Sequence, residues 1–276
     1  MRKSLAQRTA LSALGLIIAL IVVFPTYWLF TTSLKTPGQV LSPKYDLIPT
    51  TATLQNFVTA LTKVGLITYL TNSLIVTLGA VACSLISGVL AAGALGRMRF
   101  RGRKGFLLLV MVAQLAPLEA LFIPMFLLMR DVGLLNQLPS LLLVYFAFTL
   151  PFTVWMLYGF VNGIPYDLEE AAMIDGCSRA GAFRRVTLPL LGPGLVTTSV
   201  FSFITAWNEF LYALVFMKDQ DKQTLPLWLS TFRTAFSVDW GGIMAASVIY
   251  ALPALVFFII VQRKLVSGMT AGAVKG

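Results

Sequence analysis

The sequence predicts an all-α polytopic membrane protein with six transmembrane helices. Three observations carry that reading. Of 276 residues, 58% are hydrophobic and only 12% are charged, whereas a soluble domain carries about 25% charged residues. The mean hydropathy is +0.84. Six apolar runs contain neither Lys nor Arg, and each reaches the roughly twenty residues that a helix needs to cross a bilayer. The same composition excludes disorder, a disulfide scaffold and a water-soluble catalyst.

The runs are Leu11–Phe30, Tyr69–Leu95, Phe106–Met129, Leu138–Phe160, Leu195–Met217 and Ile243–Val261. Ahead of the first, Arg2, Lys3 and Arg8 resemble the leader of a signal peptide. The apolar core is too long for one, and Pro25-Thr26-Tyr27-Trp28 stands where small cleavage-site residues belong, so an uncleaved helix is expected. In the second run Ala80, Ser84, Gly88, Ala92 and Gly96 recur every four residues and share one helix face. Small residues there admit another helix at close range, and packing within the bundle is preferred over a subunit interface. Pro25, Pro117, Pro124, Pro151 and Pro253 lie inside runs and are expected to kink or unwind them. Glu119 and Glu209 are the acids within the runs. An ionised carboxylate at membrane depth is costly, so each is expected to face protein or a water-filled cavity.

The net charge is +10, from 21 Lys and Arg against 11 Asp and Glu. No aromatic-basic stripe of a nucleic-acid module accompanies it, so no nucleic acid partner is expected. Basic residues of membrane proteins collect in cytoplasmic loops. With the N-terminus inside, fourteen fall on the cytoplasmic side, including the short cluster Arg97–Lys104, and seven fall outside. Both termini are therefore expected in the cytoplasm, with Thr31–Thr68 and Lys218–Gly242 outside and Val161–Gly194 inside. There is no histidine, and the two cysteines, Cys83 and Cys177, lie in unlike settings. Those settings argue against a disulfide, no zinc site is expected, and a Ser-His-Asp or Cys-His unit cannot be built.

The inside loop reads IPYDLEEAAMIDGCSRAGAFRRVTLPLLGPG from Ile164. Asp167 is placed to cap a helix after Pro165, and Glu169 and Glu170 sit in its first turn, where acids complement the dipole. Gly176 suits a left-handed stop. Ser178 can start a second short helix carrying Arg184 and Arg185, which Pro189 and Pro193 would end. A helix-turn-helix with charged edges and a smooth alanine centre, suited to docking in a groove of a soluble partner, is expected.

Glu170-Ala171-Ala172, Gly176 and Val186-Thr187-Leu188-Pro189 stand at the spacing of the EAA loop of ABC importer permeases. The family pattern has Ile where this chain has Val186. Trp207-Asn208-Glu209-Phe210 and the ending from Gly268 to Gly276 are similar to the second permease subunit of maltose-type carbohydrate importers. The resemblance implies the type I ABC importer permease fold, with segments at 1–68 (first helix and outer loop), 69–262 (transmembrane domain, coupling loop near 164–194) and 263–276 (cytoplasmic tail). It implies a bacterial or archaeal inner-membrane location and a sugar or oligosaccharide cargo. Implied partners are a second, different permease, two copies of an ATP-binding subunit and an extracytoplasmic sugar-binding protein. The chain has no phosphate-binding Gly-Lys-Ser/Thr loop. It is thus expected to be no enzyme and to hold no cofactor, with ATP and Mg on the partner ATPases.

Carried over, the resemblance assigns ATPase coupling to Glu170, Ala171, Ala172, Asp175, Gly176, Leu188 and Pro189. It assigns ATPase contact in the tail to Thr270, Gly272, Val274 and Lys275. For Glu119, Trp207, Asn208, Glu209 and Tyr212 two readings stay open: a wall of the sugar path, or hydrogen bonds that only aid packing. An ATP-independent secondary transporter would show internal repeats and intramembrane charge relays, and neither is visible. A membrane-embedded enzyme would need a catalytic constellation, and only two isolated acids are present. A phosphorylated polyol as cargo would call for Lys or Arg in the spans, and the six runs lack both.

Overall fold

Apolar periodicity without strand alternation folds as expected into helices. The computed structural model describes residues 5–44, 46–115, 118–234 and 237–272, with side chains at all of these except 5–10, 118 and 263–272. Among the described residues the architecture is all-helical, with isolated bridges Lys35–Ala52 and Arg233–Val238 as the extended pairings. The chain forms two compact units, Met1–Leu66 with Leu229–Leu252, and Ile67–Trp228 with Pro253–Gly276.

The first unit begins with α1 (Leu5–Ser33), whose apolar side chains from Leu11 to Phe24 are exposed along the helix. The segment after it is rich in Thr and Pro. Short helices form at Pro37–Val40 and Gln55–Thr62. Buried Asn56 pins it by donating from its amide to the Ser33 and Lys35 carbonyls at 2.9 and 2.8 Å. Lys63 donates to the Thr231 carbonyl at 3.0 Å and covers the Phe232 ring at 4.0 Å.

The second unit is built on α2 (Leu66–Arg97) and α5 (Leu138–Gly163). The small-residue face of α2 packs within the bundle. Ser84 shares a hydrogen bond of 2.6 Å with Thr149. A Cβ at Gly88 would meet Thr153 and Leu157, and one at Gly96 would meet Val161. Ala92, Leu157, Val161 and Leu191 form a buried cluster there. Thr153 also shares a hydrogen bond with Ser202 of α8 (Gly192–Trp207) at 3.2 Å. These hydroxyls bind neighbouring helices where lipid offers no hydrophobic drive for association.

Among the described residues four helices are long and apolar enough to cross a membrane, or up to six if each bent pair counts as one span. Two of the six expected runs are interrupted. The third divides into α3 (Arg103–Leu115) and α4 (Phe122–Asp131), and the segments on either side of the break are bent by 89°. Pro117, a candidate cause of that bend, lies outside the described residues. The fifth ends its first helix at Trp207 and resumes as α9 (Leu211–Phe216). Pro25, Pro151 and Pro253 do not end their helices, and Pro124 sits in the first turn of α4, where a missing N–H costs least. The last helix, α10 (Trp240–Gly272), continues past the expected end of the sixth span, so the tail is helical as far as Gly272. Val274 and Lys275 lie outside the described residues, as do the side chains of Thr270 and Gly272.

Outside the bundle, Asn136 fastens the end of α9. Its backbone is left-handed (φ 62°). Its amide donates to Asp219 at 2.6 Å, and its carbonyl oxygen accepts from the Lys218 and Asp219 amides at 3.0 and 3.1 Å. That amide bond, and then Lys222, hold the Asp219 carboxyl below the usual carboxylate range.

Candidate functional site: the loop after the fourth run and the broken spans

The loop after α5 folds as two short helices. The first, α6 (Asp167–Ile174), carries Asp167, Glu169 and Glu170 in its first turn. The expectation that Asp167 caps it is corrected: Tyr166 occupies the cap and Asp167 is the first helical residue, with no side-chain cap bond. The helix therefore starts one residue earlier than the cap reading assumed, and the acid still complements the dipole. The helix stops as its glycine foretold. Gly176 has φ +91°, its N–H donates to Met173, and the Cys177 N–H donates to Ala172. That pair of bonds is the Schellman arrangement, and it requires the left-handed glycine.

Ser178 caps the second helix, α7 (Arg179–Ala182), by accepting from the Gly181 N–H at 3.2 Å. The chain then widens into one π turn, Phe183–Thr187, which carries Arg184 and Arg185. Pro189 and Pro193 were expected to end this segment. Instead they lie in the first turns of Leu188–Leu190 and of α8, and the bend of 68° falls between those pieces. A proline is tolerated in a first turn because its missing N–H has no partner there in any case.

Glu170, Ala171, Asp175, Gly176 and Pro189 are exposed, while Ala172 and Leu188 are half-buried. Ile174 joins them as an apolar side chain 86% exposed. The sequence-assigned loop residues are thus exposed or half-buried, and none is fully buried. What holds the loop is a residue sequence reasoning missed. Glu169 is 1% exposed and accepts from Arg97 Nε at 2.5 Å. The Thr187 hydroxyl also donates to it. Arg97 donates further to the Ile164 carbonyl at 2.9 Å and lies over the Tyr166 ring. One buried ion pair therefore ties the end of α2 to both halves of the loop. No local signal marked it: Glu169 and Glu170 are neighbours in the first turn, about 100° apart on the helix, and both read as acids that complement the dipole.

The second group surrounds the two breaks. Tyr212 is buried and meets the rings of Phe122, Phe148 and Phe216 at 5.4, 5.1 and 5.4 Å. Trp207 is buried and stacks on Phe203. Asn208 is exposed, with its amide donating to the Ile204 carbonyl at 2.9 Å, and Glu119 is exposed in a 3-10 turn. Glu209 is half-buried between them. It accepts from the Tyr145 hydroxyl at 2.7 Å and from the Tyr212 and Ala213 N–H groups at 2.9 and 3.2 Å. Tyr145 was not singled out from the sequence, because a tyrosine inside an apolar run gives no sign of its partner.

A family model described as "Binding-protein-dependent transport system inner membrane component" matches residues 84–270. The chain belongs to that family. It is a membrane-spanning permease subunit, a transport component rather than an enzyme. The permease is 49% identical over 276 residues to the "Diacetylchitobiose uptake system permease protein DasC" of Streptomyces coelicolor, covering all of both chains. It is 35% identical over 280 residues to the "Trehalose/maltose transport system permease protein MalG" of Thermococcus litoralis, again covering all of both. Its fold matches a chain of a bacterial ABC transporter involved in import of the acidic polysaccharide alginate. That match has a TM-score of 0.80 and 25% identity, over 95% of this permease and 99% of that chain.

Proposed function

We propose that this permease is one half of the translocation pathway of an ATP-driven importer for a sugar or oligosaccharide. The observation that carries the cargo class is the end-to-end identity of 49% to the permease of a diacetylchitobiose uptake system. Absence of Lys and Arg from the six apolar runs agrees with a neutral cargo. A second reading, an acidic saccharide, is favoured by the fold match to the alginate importer. Uptake of labelled diacetylchitobiose, maltose, trehalose and an alginate oligosaccharide, in cells with and without this chain, separates the two. No saccharide uptake dependent on the chain would refute both.

The partners in this reading are a second, different permease, two copies of an ATP-binding subunit that hold ATP and Mg, and an extracytoplasmic sugar-binding protein. The loop, through Glu170, Ala171, Ala172, Asp175, Gly176, Leu188 and Pro189, docks on the ATPase, and the tail through Thr270, Gly272, Val274 and Lys275 reaches it too. Glu119, Trp207, Asn208, Glu209 and Tyr212 surround the path. Segments 1–68, 69–262 and 263–276 serve as first helix with outer loop, transmembrane domain and inner tail.

Two outcomes are expected. Gly176→Val forces a Cβ-branched side chain into a left-handed turn, and Glu170→Lys reverses an exposed charge without touching the fold. Both are expected to lower transport and substrate-stimulated ATPase activity at least about tenfold, the effect of roughly 1.4 kcal/mol at the docking contact. ATPase measurements on purified complexes decide this, and normal coupling in both variants removes the loop from docking. For topology, cysteines at Thr51 and Thr231 are expected to react with an impermeant maleimide from outside, and one at Gly102 only after the membrane is opened. The reverse pattern overturns the cytoplasmic placement of both termini.

A further inference from the structure

The turn joining α2 to α3 gathers more positive charge than its surroundings balance. Arg97, Arg99, Arg103 and Arg179 line one cavity of about 620 Å³ beside Tyr166, and no carboxylate lines it among the described residues. Arg97 is neutralised by Glu169. Arg103 donates to the Tyr158 hydroxyl at 3.0 Å, which carries no compensating charge. Arg99 and Arg179 are exposed and have no ion-pair partner among the described residues. A second concavity of about 380 Å³ shares Arg99 and Arg103 and adds Lys104. Arg103 and Lys104 also occupy the first turn of α3, which holds no acid. Cations there oppose the positive end of the helix dipole.

A general excess of cytoplasmic cations explains why this turn is basic. It does not explain why Arg179, some eighty residues later in the chain, converges on the same cavity. Like charges held together repel, and a cleft of one sign concentrates counter-ions. Guanidinium groups present the forked donors that suit a phosphate. The flanks are apolar and exposed: Met98 and Phe100 on the turn, and Phe106, Leu108 and Leu109 on α3. Charge and grease side by side match a lipid at its headgroup boundary.

We infer that this cavity holds the phosphate of an anionic phospholipid headgroup, with the acyl chains against Phe100, Phe106 and the outward face of α3. The cavity shares no lining residue with the group assigned to the cargo path, and its test does not depend on which sugar is carried. The full-length chain, in the complex with which it purifies, is reconstituted in nanodiscs of phosphatidylcholine with phosphatidylglycerol. Retained lipid is then counted by native mass spectrometry.

The wild-type complex is expected to retain phosphatidylglycerol over phosphatidylcholine, and millimolar inorganic phosphate is expected not to displace it. Each basic side chain at an anionic surface contributes about a factor of five, so Arg99→Gln with Arg179→Gln is expected to weaken retention roughly 25-fold. Arg99→Lys with Arg179→Lys keeps the charge and most of the retention, which separates lipid binding from misfolding. Equal retention by the wild type and the Gln pair overturns the inference. Displacement by inorganic phosphate overturns it in favour of a free anion. Loss of the ATP-binding subunit from the Gln pair, with phosphatidylglycerol unchanged, overturns it in favour of an acidic segment of that partner.

Discussion

Replacing Glu169 by leucine is expected to destabilise the permease by about 3–5 kcal/mol, the cost of breaking a buried ion pair by removing one member. The leucine strands the Arg97 guanidinium and the Thr187 hydroxyl, both of which donate to the Glu169 carboxylate. Arg97→Met strands the carboxylate instead and releases the Ile164 carbonyl, to which Arg97 donates at 2.9 Å. The double variant, Arg97→Met with Glu169→Leu, removes both charges and is expected to recover most of the stability, because an apolar pair of similar volume tolerates the same burial. Thermal unfolding of the four proteins in one detergent measures the cycle. Additive losses in the double variant would show that the two residues do not act as a pair.

The same cycle separates stability from coupling. Arg97 ends α2, and Glu169 belongs to α6, the first helix of the loop after α5. A folded double variant lacks the tie between them. Transport that falls while ATPase activity persists would assign to the pair the transfer of movement from loop to span. Transport equal to wild type would confine it to folding.

Much of the loop was legible in the sequence because its signals are local. Gly176 marks a stop through its own φ, Ser178 marks a start through its own hydroxyl, and only Cys177 separates them in the chain. Glu169 was not legible as a buried acid, because its partner lies 72 residues earlier and no local pattern announces such a distance. The prolines misled for a related reason. Pro189 and Pro193 read as terminators, yet a proline is as well suited to a first turn, and which role wins depends on the π turn at Phe183–Thr187 that precedes them. Composition gave the number of apolar runs but not their continuity. Hydropathy is blind to a break when the residues on both sides of it are apolar.

The break in the fifth run supports the second large effect, at Glu209. α9 has six residues, and its first amides have no partner from a preceding turn. Lipid offers no group to satisfy them. The Glu209 carboxylate takes that place by accepting from the Tyr212 and Ala213 N–H groups, and it also accepts from the Tyr145 hydroxyl. Glu209→Leu removes the two oxygens that accept from three donors. Each donor left unsatisfied costs about 1–3 kcal/mol, so a loss on the order of 3 kcal/mol or more is expected. Glu209→Gln keeps one accepting oxygen but turns an N–H₂ group toward the backbone donors, and an intermediate loss is expected. Tyr145→Phe deletes one donor, leaves the amides capped, and is expected to cost about 1 kcal/mol. The yield of assembled complex, measured by size-exclusion chromatography, is thus expected to fall in the order wild type, Tyr145→Phe, Glu209→Gln, Glu209→Leu. A leucine variant that assembles fully, keeps its basal ATPase activity and yet fails to transport would reverse the conclusion. Glu209 would then act on the cargo, and the cap would be incidental to it.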